Sequence, residues 1–407
     1  MKRISLFLLL FLLLKATVMY SQDGHPETNF RIVPVSPNAA SLGTYGLIPT
    51  DNYVGQARIS IPIYEIDLDG KKFPIALSYH TDGTRVAQEA TWIGLGWTLQ
   101  AGGCVVRQVQ GTDDFAARGC YNLTDAPWLT NPRFEVTDQN LEKYMGYFKG
   151  DYDAEPDMFY FNAGGHSGSM YFDVLKNNRQ LNAVPTIQTQ EKVVKMVYNT
   201  SNKTWTMTDL EGYVYSFSTK EITYYFLNTI DFFQTDITRS HIFPYYNEPQ
   251  IVTAWMLDSV TSPNGGKITF SYKKESIFTP ISTTEDVISL SKIVNGQLSS
   301  QSPQYFTNKF NYNYSYSKIE QWTLSAITFE GGKVEFGTTD REDIESAETG
   351  KKVQKLSSIK VSDTAGNLIK TTMLEYKYLL SGMAATTNGY DDRLLLSKVY
   401  DVAGSKK

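Results

Sequence analysis

Four carboxylates at alternate positions, Asp151, Asp153, Glu155 and Asp157, are the first residues whose types and spacing could do chemistry. In a loop they could offer oxygens to calcium, which needs about six to eight converging ligands. A calcium-binding helix–loop–helix pattern fails, because Pro156 stands where the turn glycine belongs and Asn162 where the closing Glu belongs. In an extended strand, period-two geometry would place all four on one solvated face. Asp151, Asp153, Glu155 and Asp157 are therefore a weak calcium candidate, and solvated charge is the plainer reading.

Other motifs are negative. Trp92-Ile-Gly94-Leu-Gly96-Trp97 lacks the third glycine of a dinucleotide fingerprint, and no Lys-Ser or Lys-Thr pair follows Gly102-Gly103. Tight turns beside two indoles explain these glycines better. Four histidines, His25, His80, His166 and His241, form no zinc-helix motif. Ser167 in Gly165-His-Ser-Gly168 does not match a nucleophile elbow. No motif nominates a glycosidase pair from the 43 acids. Cys104 and Cys120 sit in no metal-binding or C-x-x-C pattern. In an oxidising compartment they could form a disulfide, and two isolated buried thiols is the equal alternative. The residues thus call for no catalytic site, metal or cofactor.

Stepping outward to the elements, the chain begins with Lys2 and Arg3, an apolar run from Ile4 to Leu14, and a short polar stretch to Ser21. Charged, apolar and then small is the order of a secretory signal. This run of eleven residues, apolar except for Ser5, is too short for a membrane span, which needs roughly 20. Residues 1–21 are read as a signal peptide, cleaved near Ser21. Met19 fits the small-residue rule poorly, so the cut is not fixed. No cysteine lies near it for lipid attachment. The product is expected outside the cytoplasm, secreted or at the cell surface. The net charge of −5 becomes more negative once Lys2, Arg3 and Lys15 leave. That disfavours a nucleic-acid partner, which would want a basic stripe.

The 13% aromatic content, with 27 Tyr, favours strands. Ile59, Ile61 and Ile63 alternate with polar residues, as do Ile75, Leu77 and Tyr79. Asp69-Gly70 between these runs predicts a hairpin turn. Pro62 and Pro74 belong at strand edges, starts or bulges. Helix signals are few. Leu141, Tyr144, Met145 and Phe148 have helical spacing over residues 138–149, and residues 340–350 suggest a second helix or turn. The predicted fold is mainly β: antiparallel hairpins in an extended or curved sheet with one or two short helices. Residues 22–190 read as an N-terminal β-rich region and 191–407 as hairpin repeats, the last incomplete.

The repeat is explicit. Trp255, Leu257, Val260, Gly265, Gly266 and Phe270 align with Trp322, Leu324, Ile327, Gly331, Gly332 and Phe336. Looser copies start at Leu356 and Ile359 and at Leu396 and Val399, and an earlier variant starts at Trp205. Each unit is an apolar run, a Gly turn and an alternating run. A lone hairpin is marginal in water, so successive units must pair or stack.

Leu257-Asp-Ser-Val260-Thr-Ser-Pro263-Asn-Gly265 resembles the repeat of the Rhs or YD-repeat family. The family's Tyr-Asp dipeptide is missing after Tyr272, so these are variant units. Pro37-Asn-Ala-Ala-Ser41-Leu-Gly43, Trp92-Ile-Gly-Leu-Gly-Trp97, and Glu155-Pro-Asp157-Met-Phe-Tyr-Phe161 resemble the N-terminal region of exported Rhs-type proteins of Bacteroidetes-like bacteria. The resemblance implies a curved β-sheet shell that presents or encloses a downstream effector. The Asp-Pro segment of Rhs autocleavage is absent. The implied role is a non-catalytic structural or interaction module, with other shell segments or an effector as partners. A surface adhesin binding glycans or proteins is the alternative, and a cryptic hydrolase the third.

Overall fold

The structure is a computed structural model that describes residues 34–39, 42, 58–80, 88–111, 113–116, 119–122, 141, 145, 153, 155–173, 184–188, 194–230, 250–289, 293–294, 297–298, 308–379 and 392–402. The expected signal at 1–21 lies outside these residues. Among the described residues no helix is long and apolar enough to cross a membrane.

The fold is mainly β, in antiparallel pairs. In chain order the strands are β1 (Arg58–Leu68), β2 (Lys71–His80), β3 (Trp97–Gln100), β4 (Gly103–Gln108), β5 (Met158–Ala163), β6 (His166–Tyr171) and β7 (Thr186–Ile187). Next come β8 (Val194–Asn199), β9 (Thr204–Asp209), β10 (Val214–Ile230), β11 (Ile251–Thr261), β12 (Lys267–Phe278), β13 (Ser282–Ser289), β14 (Ile293–Val294) and β15 (Gln297–Leu298). The last are β16 (Asn308–Phe329), β17 (Gly332–Asp340), β18 (Glu345–Ser346), β19 (Gln354–Ser362), β20 (Leu368–Leu379) and β21 (Arg393–Val402). β1–β2–β3 form one sheet, β14–β15 a small ribbon, and the other strands one 16-stranded sheet. That large sheet runs across residue 190, since β4 pairs with both β5 and β11.

Asp69 and Gly70 both have positive φ, 50° and 90°, as a two-residue hairpin turn requires. Pro62 stands beside a register shift in the β1–β2 ladder, where its missing N–H costs no regular bond. Of the helix or turn read at 340–350, the turn is what forms: bends and a turn surround β18, which pairs with β12. In the helical stretch read at 138–149, Leu141 and Met145 are helical but 44% and 40% exposed, so these two bury no apolar stripe. The other residues of that stretch lie outside the description.

The repeat units are hairpins: β9–β10, β11–β12, β16–β17 and β19–β20. Each hands on to the next, through β12–β16, β17–β19 and β20–β21. Leu257, Val260, Leu324, Ile327, Leu356 and Ile359 all enter one core, and Leu396 and Val399 pack against it. In a regular strand, residues three apart point to opposite faces. Here the register skips one residue inside every pair: Asp258, Ser325, Ser357 and Ser397. Each is a β-bulge that restores the second apolar residue to the core face. The polar side chains bond across the bulge. The Ser325 hydroxyl donates to the Ser271 carbonyl at 2.9 Å, and that of Ser397 to the Glu375 carbonyl at 3.0 Å.

The centre of the sheet is covered on both faces. On the front, Val105 and Trp255 join Ile63, Ile66, Ile75 and Leu77 of the three-stranded sheet. On the back, Cys104, Val106, Ala254 and Met256 are covered by Ala39, Val35 and Leu42. The aligned tryptophans do not share a core. Trp255 enters the front, whereas Trp322 packs against the back cluster. Both indoles nonetheless donate to a main-chain carbonyl of an earlier segment, Lys203 at 2.8 Å and Lys220 at 2.7 Å.

Candidate functional site

The polar residues that the fold buries gather at the joints between layers. The largest joint lies on β4. Val105 and Arg107 share its inward face, so Arg107 enters the core and is 1% exposed. Its guanidinium lies over the Phe115 ring, 4.8 Å from the centroid. It pairs with Asp113 and Asp157, its Nε donating to Asp157 at 2.8 Å. Asp157 also accepts from the Gln110 N–H at 2.7 Å, and its own N–H donates to Asp114 at 2.6 Å. Three buried carboxylates thus face one cation. Burial, and next the charge of Asp157, push Asp114 up to about 8. Asp157 is also raised by burial, against the pull of Arg107. The second Asp114 oxygen and the Tyr121 hydroxyl are buried without a well-formed hydrogen bond among the described residues.

This arrangement revises the acidic run. Asp157 is fully buried and Asp153 is buried, so Asp153, Glu155 and Asp157 do not share a solvated face. Asp153 accepts the Glu155 N–H at 2.9 Å, and Asp157 is taken by Arg107. Asp151 lies outside the described residues, among which no group of three acids, histidines or cysteines converges to hold a metal. Arg107, Asp113 and Asp114 were not singled out from sequence. The available signal was a cation at an inward strand position beside Val105.

A second joint is Arg341, which pairs in fork fashion with Asp343, Nε to Oδ1 at 2.8 Å and Nη2 to Oδ2 at 2.7 Å. Its remaining donors reach the carbonyls of Thr91 at 3.0 Å and Ala90 at 3.2 Å. Asp343 also accepts the Leu394 N–H at 3.0 Å. This clamp holds the Trp92–Trp97 loop against the late hairpins. Gly94 in that loop has φ +116°, and a Cβ there would lie 2.9 Å from the Leu396 nitrogen. Its neighbour Leu95 donates to the Leu394 carbonyl at 2.8 Å. Close backbone approach is therefore what the glycine serves, and no phosphate cradle forms.

The third joint fixes the β1–β2 hairpin. Lys71 reaches Asp209 at 2.5 Å and Glu211 at 3.0 Å, and the Tyr213 hydroxyl donates to the Leu68 carbonyl at 3.0 Å. Burial would raise Asp209, but hydrogen bonds from Lys71, Tyr213 and Tyr215 outweigh it and hold the carboxyl below its ordinary range. His166 stands 3.8 Å from Asp209 and is lowered by burial and then by the Lys71 charge. Ser167 lies in β6 after the Gly164-Gly165 turn, with no strand-to-helix elbow around it.

No disulfide joins Cys104 and Cys120. They are buried in separate clusters, Cys104 on the back face and Cys120 on the front. Burial, and next Asp114, push the Cys120 thiol up to about 12. The aromatic load fills the core: Phe159, Phe172, Tyr198, Trp205 and Trp255 pack ring to ring. No described aromatic side chain is classed as exposed. A void of about 30 Å³ lies between Asn38, Trp92, Thr98, Met256, Tyr272 and Trp322. Small-molecule pockets are roughly 300–1,000 Å³, so it is far too small for one.

No protein-family model matches the chain, and no curated protein does. Solved structures give partial likenesses. The N-terminal domain of effector protein SpvB from Salmonella typhimurium strain LT2 is 11% identical, with a TM-score of 0.37 over 85% of this chain and 99% of that one. A TcdB2–TccC3 structure is 9% identical, with a TM-score of 0.37 over 91% of this chain and 16% of that one. A Photorhabdus luminescens Tc holotoxin pore is 11% identical, with a TM-score of 0.35 over 87% of this chain and 15% of that one. The chain thus spans about one sixth of the Tc chains.

Proposed function

We propose that this chain is a non-catalytic structural module, a length of exported β-sheet wall of the Rhs kind that presents or encloses an effector. The observation that supports this reading is the line of bulges at Asp258, Ser325, Ser357 and Ser397, at the same repeat position on β11, β16, β19 and β21. A bulge bends its strand and strengthens the local twist. Bulges repeated in register across neighbouring hairpins curve a sheet. A curved sheet with one dominant core face is what a wall needs.

The buried charges agree with that role. Arg341 and Lys71 each tie one segment to a distant one, Arg107 ties β4 to the residue that leads into β5, and their carboxylate partners are occupied in doing so. The glycan-binding alternative gains no support from Phe159, Phe172, Tyr198, Trp205 and Trp255, which are spent in the core. Turnover assays of the purified chain on polysaccharide and peptide panels test the reading. No turnover is expected. Turnover lost in Asp114→Asn, with folding intact, would replace the wall by an enzyme.

A further inference from the structure

The back face of the sheet is closed by a short piece of chain, of which residues 34–39 and 42 are described. Pro37, Asn38, Ala39 and Leu42 are helical in it. Ser36 caps the turn, its hydroxyl accepting the Ala39 N–H at 3.1 Å, and Pro37 takes the first helical position. Among the described residues the segment pairs with no strand. It is held by side chains of the sheet that read its backbone. Glu221 accepts the Ser36 N–H at 2.8 Å, Thr223 donates to the Pro34 carbonyl at 3.0 Å, and Asn162 donates to the Leu42 carbonyl at 3.0 Å. Asn38 accepts the Trp92 N–H at 2.9 Å. Ala39 is fully buried over Cys104, Val106, Ala254 and Met256.

A cover that only excluded water would need an apolar floor. This floor instead carries Glu221, Thr223, Thr253 and Gln321, all nearly or fully buried. Burying such groups is unfavourable unless each finds a partner. Two of them meet main-chain groups of the segment, Glu221 the Ser36 N–H and Thr223 the Pro34 carbonyl, which is the chemistry of peptide recognition, while Thr253 donates to Glu221 at 3.1 Å and Gln321 accepts from the Asn38 side chain at 3.4 Å. The second oxygen of Glu221 has no partner among the described residues, leaving an acceptor for one more N–H. We propose that this face is a peptide-binding groove, which residues 34–42 occupy in cis and which accepts the same sequence in trans. Its ligand is a short peptide with a capped, helical Ser-Pro-Asn turn and a small anchor at the position of Ala39.

The two thiols make this testable in the full chain. Cys104 lies beneath the segment and Cys120 in the opposite core, so maleimide labelling of Cys104 reports the groove and that of Cys120 reports global unfolding. Ala39→Glu should accelerate Cys104 labelling by about tenfold, as expected for a local opening. Cys120 should stay protected. A synthetic peptide of residues 33–43 should slow Cys104 labelling again, by roughly fivefold at millimolar concentration, the range in which a tethered segment is matched. The same peptide carrying Ala39→Glu should not. Ser36→Pro, which removes the N–H that Glu221 accepts without adding charge, should behave like Ala39→Glu. The proposal is overturned if Cys104 stays unreactive in both variants, if the peptide gives no protection, or if both variants expose Cys104 and Cys120 together.

Discussion

Leu257 and Val260 lie three residues apart on one strand and face the same core. Asp258, bulged between them, makes this possible, and its carboxylate secures the bulge. It accepts the Ser218 N–H and hydroxyl, the Thr219 N–H at 3.1 Å and the Thr219 hydroxyl at 2.5 Å. Asp258→Ala should destabilise the chain by about 1–3 kcal/mol, because it strands two main-chain donors. Asp258→Asn should cost less. Urea unfolding midpoints distinguish the two, and equal losses would count against a capping role.

Arg107 is the only cation bonded to Asp113 and Asp157 among the described residues. Breaking a buried pair by removing one partner costs about 3–5 kcal/mol. Arg107→Met should fall in that range, since it leaves carboxylates buried without compensation. Combining it with Asp157→Asn should recover part of the loss. A double-mutant cycle by denaturant unfolding checks this, and strictly additive losses would contradict the pairing.

The same cluster gives stability a pH dependence. Asp114 is held up to about 8 by burial and by Asp157, and burial holds Glu275 up to about 7. Unfolded carboxyls titrate near 4, roughly. The folded chain therefore retains protons that the unfolded chain releases. This contribution is fully present below about pH 4 and is lost as pH rises through the folded values. Asp209, held low, acts in the opposite sense, and its contribution is lost on acidification below the ordinary carboxylate range. Between these limits, stability should fall from about pH 5 to about pH 8. Asp114→Asn should flatten that slope in thermal melts across the range. An unchanged slope would show that Asp114 carries no buried proton.

Gly94 and Gly265 both have positive φ, but only Gly94 is crowded. Gly265→Ala should carry backbone strain alone, about 1 kcal/mol. Gly94→Ala adds a collision with the Leu396 backbone and should cost roughly twice that or more. Melting temperatures of the two variants test the docking of the 92–97 loop on β21. Equal shifts would mean the loop is not pressed there.

The hairpins were legible in the sequence because their signals are local. Asp69-Gly70 sets a turn, and the aligned Leu-x-x-Val and Gly-Gly positions fall where expected, in strands and turns. The bulge was not read from the sequence, although the Leu-x-x-Val spacing of three, odd for a regular strand, carries its signal. The split at residue 190 has no counterpart in the sheet, because β4–β11 pairing joins residues some 150 apart and nothing local announces it. The acidic run pointed to surface or calcium, whereas Asp157 meets Arg107 from 50 residues away. Long-range pairing also decides the cysteines, which local spacing left open between bond and thiols.

One bulged residue on each of β11, β16, β19 and β21 sets which side chains of these strands face the core. Deleting Ser325 tests it most directly. Without the bulge, residues on one side of the deletion must turn to the opposite face, because side chains alternate along a strand. Ser325→Ala removes only the bond to the Ser271 carbonyl and should cost about 1 kcal/mol. The deletion should abolish cooperative unfolding or lower stability by several times that amount, measured by urea denaturation of both variants. A deletion as mild as the substitution would contradict the account.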